Sequence, residues 1–249
     1  CRQKSRRTWK FRRKFDKNRV KSRLKKFISR RPSLKTLQEK GLIKDQIFGS
    51  HLHTVCEREH STVPWFVKQC IEAVEKRGLD VDGIYRVSGN LATIQKLRFI
   101  VNQVTSDTQY YVFKLNLDDS QWEDIHVVTG ALKMFFRELS EPLFPYSFFE
   151  RFVEAISNNE KIETMRSLVK RLPPPNHDTM KILFRHLTKI VAKASQNLMS
   201  TQSLGIVFGP TLLRAENESG NVAVHMVYQN QIAEFMLTEY DKIFSSEED

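Results

Sequence analysis

The chain has 249 residues, of which 40% are hydrophobic, so it can bury a substantial core. Its three cysteines are too few for a disulfide framework and fit a reducing compartment. The longest apolar runs are too short to span a bilayer, and no apolar stretch of a secretory signal follows the basic N-terminus. We therefore expect a cytoplasmic protein.

The net charge of +11 is concentrated at one end of the chain. The first 31 residues hold 16 Lys or Arg and one acidic residue, whereas the remainder has 24 basic against 28 acidic residues. The sequence therefore combines a near-neutral body with a strongly basic lead-in. This split argues against a nucleic-acid-binding protein, and we expect no nucleic-acid partner.

The basic lead-in, residues 1–33, has two interpretations. Its apolar side chains recur at helical spacing and its cations fill much of the remaining surface, which is typical of an amphipathic helix on an anionic membrane. The candidate anion-binding residues are Lys21, Arg23, Lys25 and Lys26. That interpretation predicts recruitment to the inner face of the plasma membrane. The favoured alternative is a solvated linker, because runs of like charge are commonly extended.

Helical periodicity dominates the body, residues 34–249. Taken in chain order, helices are predicted over residues 64–78, 90–101, 122–139, 148–156, 162–172, 177–198, 200–208 and 222–244. One further short helix is expected within residues 34–62. Asn90 and Ser200 are predicted N-caps, and Gly209 with Pro210 is predicted to end the helix before it. No segment alternates apolar and polar residues long enough for a sheet. We therefore predict a single all-α domain of about eight or nine helices.

Common catalytic motifs are missing from the sequence. It contains no phosphate-binding loop, no Gly-x-Ser-x-Gly elbow and no His-Glu-x-x-His, so we expect a chain that binds no nucleotide by itself. Four potential ligands, His51, His53, Cys56 and His60, lie within ten residues but match no common zinc spacing. No metal site is predicted.

Three segments stand out from this background. Gly83-Ile-Tyr-Arg-Val-Ser-Gly-Asn90 places Arg86 in a short loop between two helices, from which it can point outward. Leu132-Lys-Met-Phe-Phe-Arg-Glu-Leu-Ser-Glu-Pro-Leu143 places Lys133 and Arg137 one turn apart on one helix face, as an exposed stripe that fits an acidic or phosphate-bearing partner. The third is Met199-Ser-Thr-Gln-Ser-Leu-Gly-Ile-Val-Phe-Gly-Pro-Thr-Leu-Leu213. Taken singly, each also fits a solvated or structural role.

Together, in this order and spacing, the three segments resemble the RhoGAP domain, also called the breakpoint-cluster-region homology domain. The shared patterns are Gly-Ile-Tyr/Phe-Arg-x-Ser-Gly, Leu-Lys-x-Phe-Phe/Leu-Arg-Glu-Leu-x-Glu-Pro-Leu and Met-x-x-x-x-Leu-x-x-Val-Phe-Gly-Pro. The resemblance covers roughly residues 48–245. It implies that residues 34–249 are a RhoGAP domain and that residues 1–33 are a linker or the end of an upstream pleckstrin-homology domain.

The resemblance also implies a function and a set of site residues. The chain would stimulate GTP hydrolysis by a Rho-family small GTPase in its GTP-bound form, with Rac the first choice, and would not itself be the hydrolase. Arg86 corresponds to the arginine finger of the family. Lys133 and Arg137 correspond to the pair that supports the finger loop and the GTPase contact, and Asn230 to an interface residue. No cofactor is implied, because GTP and magnesium belong to the GTPase.

Two departures from the family pattern leave alternatives open. Ser203 stands where the family often has an Asn that contacts the GTPase, and a hydroxyl offers one donor where an amide offers two. Activity could therefore be lower. Ser140 replaces a common Pro and should only loosen a turn. One alternative is a catalytically weak module that binds Rho GTPases. The other is a basic phosphoinositide- or nucleic-acid-binding protein whose helical body is a scaffold.

Overall fold

The computed structural model describes residues 47–103, 115–216 and 222–245. The described ranges consist of helices and loops and contain no β-strand, which confirms the predicted all-α class. Within them, no helix combines the length and the apolar character needed to cross a bilayer. The basic lead-in, with Lys21, Arg23, Lys25 and Lys26, lies outside the described residues, so its role stays a prediction.

Eleven α-helices form the described part of the chain. They are α1 Leu52–Arg58, α2 Trp65–Arg77, α3 Leu91–Gln103, α4 Ile125–Glu138, α5 Phe149–Ser157, α6 Lys161–Lys170, α7 Pro174–Val191, α8 Ala194–Asn197, α9 Thr201–Leu212, α10 Val222–Thr238 and α11 Tyr240–Phe244. Two short 3-10 helices, Ser120–Trp122 and Tyr146–Phe148, precede α4 and α5. The number exceeds the predicted eight or nine, chiefly because two predicted helices are divided.

Both predicted N-caps are confirmed. The Asn90 Oδ1 atom accepts a hydrogen bond from the Thr93 N–H at 3.1 Å, and the Ser200 Oγ atom accepts one from the Ser203 N–H at 3.1 Å. Each bond satisfies a backbone donor that the first turn of a helix leaves free. These two caps fix where α3 and α9 begin, and α3 directly follows the loop that contains Arg86.

The predicted helix over residues 177–198 is interrupted. The Asn197 Nδ2 group donates to the carbonyl oxygens of Ile190 at 2.8 Å and Leu79 at 2.7 Å, so it satisfies a carbonyl near the end of α7. The chain then turns at Leu198, which has a left-handed φ of 58°. A side-chain amide thus ends the helix where apolar periodicity continues. The predicted helix 222–244 is similarly divided, at Glu239 between α10 and α11.

The prediction that Gly209 and Pro210 end a helix is wrong. Pro210 lies inside α9, which continues to Leu212. Proline removes one backbone donor, but Thr211 and Leu212 are buried and the Thr211 hydroxyl donates to the Val207 carbonyl at 2.8 Å. Tertiary packing therefore continues the helix past the lost hydrogen bond.

The core is built around α4, which packs against α2, α3 and α9. Phe135 of α4 contacts Phe48 and Phe66, with ring centroids 5.7 and 6.0 Å apart, and all three rings are fully buried. Aromatic rings at these separations bury large apolar surfaces in defined orientations. The helix is therefore a rigid support for side chains that leave its other face.

Two glycines let α9 and α10 pack against each other closely. A Cβ atom on Gly205 would lie 2.9 Å from the Asn230 carbonyl oxygen, and one on Gly209 would lie 2.7 Å from the Gln229 carbonyl carbon. The obstacles are backbone atoms, which cannot rotate away as a side chain can. The two helix backbones can therefore lie this close only because neither position carries a side chain.

We expect Gly209→Val to lower the free energy of unfolding by about 1–3 kcal/mol, because the added methyl groups force α10 away from α9. Chemical denaturation measures this change. Gln202→Ala, which alters an exposed residue of the same helix, should change stability by less than about 0.5 kcal/mol. Equal midpoints for Gly209→Val and the unaltered chain would contradict the packing argument.

Candidate functional site

The segment between α2 and α3 forms a tight turn, which we call the Arg86 loop (residues 83–89). The Gly83 carbonyl accepts hydrogen bonds from the backbone N–H groups of Arg86 and Val87, both at 2.8 Å. The Gly83 N–H donates to the Asn197 carbonyl at 2.8 Å, which ties the loop to α8. Gly83 has a φ of 65°, which favours glycine, and an added Cβ would lie 2.7 Å from a Val87 methyl group.

Tyr85 anchors the loop in the core. Its side chain is fully buried, its ring centroid lies 5.0 Å from that of Phe208 in α9, and its hydroxyl lies 2.7 Å from the His186 Nε2 atom in α7. The residue before Arg86 is therefore held by two helices, while Arg86 itself faces outward.

The prediction that Lys133 and Arg137 are both exposed on one helix face is wrong for Lys133. Lys133 is buried, and its ammonium group donates to the Tyr85 carbonyl oxygen. The Arg86 loop covers this position of α4, so the lysine points into the loop. Arg137, one turn later, stays exposed and its Nε–H donates to the Thr211 Oγ1 atom at 3.2 Å. The two cations share a helix face but have different surroundings.

The environment of Lys133 changes its acid–base behaviour. Burial disfavours the charged ammonium form and, with the nearby Arg137 guanidinium as a second cause, lowers the pKa of Lys133 from 10.5 to about 8. The group nevertheless carries a proton at neutral pH. It can therefore make a charge-assisted hydrogen bond to the loop backbone.

Arg86 is weakly held in the free chain. About half of its side chain is exposed (51%), and its guanidinium lies 3.5 Å from the carboxylate of Asp82, which is 71% exposed. Exposed pairs of this kind contribute little free energy. The guanidinium can therefore leave Asp82 for a stronger anionic partner at small cost.

Ser203 and Asn230 lie on the closely packed pair α9 and α10. The Ser203 Oγ atom lies 3.1 Å from Ser200 Oγ in the first turn of α9. The Asn230 Oδ1 atom is buried and has no hydrogen-bond partner among the described residues. Arg86, Lys133 and Arg137 are thus joined through one loop and one helix. Arg137 also contacts Thr211 of α9, the helix that carries Ser203.

Exposed apolar side chains lie on the same helix pair. They are Ile206 of α9 and Val222, Val224, Met226 and Val227 of α10. Val87 is also exposed, directly beside Arg86. Large exposed apolar side chains grouped on one element are characteristic of protein-binding surfaces. The α9–α10 pair therefore offers an apolar surface, and Val87 offers a single apolar side chain beside the Arg86 cation.

Several residues that contribute to this site were not identified from the sequence. His186 lies among apolar positions of α7, and a polar residue at such a position is a signal that it has a buried partner. Thr211 and Asn197 carry no comparable signal. Their roles depend on contacts with Arg137 and with the Arg86 loop, which are remote in sequence.

Comparisons with known proteins agree with this architecture. The family model for the RhoGAP domain matches residues 64–217. The chain is 94% identical over 237 residues to Rho GTPase-activating protein 15 of Mus musculus, covering 94% of this chain and 48% of that protein. It is 57% identical over 231 residues to Rho GTPase-activating protein 12 of Homo sapiens, covering 92% and 26%. The crystal structure of human Rho GTPase activating protein 15 aligns with a TM-score of 0.78 and 82% identity, covering 86% of this chain and 100% of that one. The chain thus spans about half or less of these curated relatives.

The titration of Lys133 tests the geometry beneath the loop. We expect a midpoint near pH 8 for its ammonium group, measured by NMR of the side-chain carbon or nitrogen next to the titrating site. Arg137→Gln should raise the midpoint, because it removes a nearby positive charge, but not to the ordinary value, because burial remains the larger cause. Arg171→Gln, at an exposed position at the end of α6, should leave it unchanged. A midpoint at the ordinary lysine value of about 10.4 would contradict the buried placement.

Proposed function

The chain belongs to the RhoGAP domain family, and from that membership we propose that it stimulates GTP hydrolysis by a Rho-family small GTPase in its GTP-bound form. The chain acts as the activator, and the GTPase is the hydrolase. The observation that carries the proposal is the outward, half-exposed Arg86 guanidinium on a loop whose neighbouring residue is fully buried.

Arg86 performs the chemistry in this proposal. Negative charge on the phosphate oxygens must be stabilised in the transition state of GTP hydrolysis, and an arginine supplied in trans accelerates the reaction by about 10³–10⁵-fold. Its planar guanidinium is permanently charged and can donate to two oxygens at once. A lysine ammonium lacks that geometry.

The Arg86 loop lowers the cost of placing this cation. The bonds to Tyr85 and Gly83 fix the backbone before the partner arrives, so little backbone entropy remains to be lost on binding. Only the weak pair with Asp82 has to break. Less of the binding free energy of the interface is then lost in ordering the loop, and more of it can stabilise the transition state.

The remaining site residues position the finger or bind the partner. Lys133 supports the loop from below, while Arg137, Asn230 and Ser203 contribute to the GTPase contact. The exposed apolar side chains of α9 and α10 enlarge that contact. GTP and magnesium are brought by the GTPase. We propose Rac as the first member to test, on the strength of the sequence resemblance.

A binding-only module is the second candidate, and the departure at Ser203 favours it. Such a chain would hold a GTP-loaded Rho-family protein without accelerating hydrolysis. The two candidates differ in one measurable quantity, the rate of phosphate release from the bound complex at saturation.

Arg86→Ala should lower stimulated GTP hydrolysis by at least about 10³-fold, because it removes the transition-state cation. Arg86→Lys should not restore it, because the ammonium cannot span two oxygens. Single-turnover phosphate release with Rac, Rho and Cdc42, at saturating amounts of the chain, measures both. Binding to a GTPase loaded with a non-hydrolysable GTP analogue should change far less.

Arg171→Ala is the matched control, since it removes another exposed arginine and should keep full stimulation. Undiminished stimulation by Arg86→Ala would refute the role of Arg86. Binding without stimulation by the unaltered chain would favour the binding-only module.

Ser203→Asn should lower the concentration of the chain needed for half-maximal stimulation by about 2- to 10-fold, because the amide can add a hydrogen bond to the GTPase. Titration of phosphate release against chain concentration measures this. Ser157→Asn, at the exposed end of α5, should have no effect. An unchanged or higher half-maximal concentration for Ser203→Asn would exclude Ser203 from the contact.

A further inference from the structure

A line of polar side chains lies beneath the Arg86 loop, and the mechanism above does not use it. It runs from the Tyr85 hydroxyl to His186 Nε2 at 2.7 Å, from His186 Nδ1 to Glu75 Oε1 at 3.1 Å, and from Glu75 Oε2 to Lys189 Nζ at 2.6 Å. We call these four residues the Tyr85 hydrogen-bond chain. It connects the loop to α2 and α7.

The direction of each hydrogen bond follows from its surroundings. Hydrogen bonds from His186 first and from Lys189 hold the pKa of Glu75 down at about 2, so Glu75 is a carboxylate and can only accept. Burial lowers the pKa of His186, which favours the neutral ring. His186 Nδ1–H therefore donates to Glu75, which leaves Nε2 as the acceptor for the Tyr85 hydroxyl. Each of the four residues of the Tyr85 hydrogen-bond chain therefore has a hydrogen-bond partner of the right kind.

The backbone of Tyr85 is unusual at the same place. Its φ of 69° lies in the left-handed region, which is unfavourable for a residue with a Cβ. Its neighbour Arg86 follows directly, so a change in this angle would redirect the Arg86 side chain. Such a conformation persists only when surrounding contacts hold it.

Tyr85 is held at both ends. Lys133 binds its carbonyl oxygen, and His186 binds its hydroxyl, across a ring that is fully buried. Packing against Phe208 confines the ring, but apolar contacts are non-directional and leave its exact orientation less defined. The hydroxyl bond adds a directional constraint, because it is strongest when the Tyr85 hydroxyl points at the His186 Nε2 lone pair.

We propose that His186, oriented by Glu75, is a positioning residue for Arg86: it holds the ring of Tyr85, which stabilises the left-handed backbone of Tyr85 and thereby sets the direction of the Arg86 guanidinium. The effect on hydrolysis rests on the proposed function. The effect on the loop does not, because it concerns the free chain alone.

Tyr85→Phe is the decisive variant, because it keeps the ring and removes only the hydroxyl. Together with His186→Leu and the double variant, it forms a double-mutant cycle. We expect each single change to lower the rate of phosphate release, measured at a saturating concentration of the protein, by about 3- to 10-fold. The protein concentration that gives half-maximal stimulation should stay within about twofold of the value for the unaltered protein. The double variant should be no slower than the slower single variant, since both remove the same bond.

Matched variants separate positioning from stability. Tyr240→Phe removes another tyrosine hydroxyl, which donates to the Lys181 carbonyl in the free chain, and should leave the rate unchanged. His186→Gln offers an amide oxygen to Tyr85 and an amide donor to Glu75, and should recover most of the lost rate. Losses that simply add in the double variant, or a full rate for Tyr85→Phe, would overturn the proposal.

Amide hydrogen exchange measures the opening of the Arg86 loop in the free protein, without any GTPase. Arg86 and Val87 donate to the Gly83 carbonyl, so their exchange reports opening of the turn. We expect exchange about 3- to 10-fold faster in Tyr85→Phe and His186→Leu than in the unaltered chain or Tyr240→Phe. If the unaltered chain stimulated no GTPase, the proposed function would fail while this measurement still decided the positioning role. Unchanged exchange in both variants would contradict it.

Discussion

The hydrogen bond from the buried Lys133 ammonium to the Tyr85 carbonyl joins the central helix α4 to the loop that carries Arg86. Burying an ammonium group is costly, and the pKa of Lys133, lowered to about 8, records that cost. A neutral side chain of similar length would be easier to bury but would not offer a charged donor to the backbone. The fold thus bears the cost of desolvating the Lys133 ammonium group, and in return the Tyr85 carbonyl is held in place.

The rest of the site shows the same division between buried supporting side chains and an exposed cation. Tyr85, Lys133 and His186 are buried, whereas Arg86 remains half exposed beside a weak carboxylate partner. On the neighbouring surface, Gly205 lets α9 and α10 approach closely, which fixes the separation between the helices that carry Ser203 and Asn230. Rigid support beneath a cation that is free to move is the property required of a group that acts on a partner's substrate.

Much of the fold could be predicted from the sequence, because apolar side chains recur at helical spacing and cap residues mark the starts at Asn90 and Ser200. The errors arose where one contact overrides a local pattern. Asn197 ends α7 with its side chain, and packing of Thr211 and Leu212 carries α9 past Pro210. For the site, motif spacing singled out Arg86, but the burial of Lys133 and the bond from His186 depend on segments 48 and 101 residues away, which periodicity does not reveal.

In the proposed function, the Arg86 guanidinium extends from this chain to the phosphates of a nucleotide bound by another protein. A crystal structure of the complex between this chain and a Rho-family GTPase holding GDP and aluminium fluoride would show whether this contact forms. We expect the Arg86 guanidinium at hydrogen-bonding distance, about 3 Å, from the fluoroaluminate group, with the backbone φ of Tyr85 still positive and the ion pair with Asp82 broken. A complex in which Arg86 stays with Asp82, or lies outside the nucleotide site, would contradict this expectation.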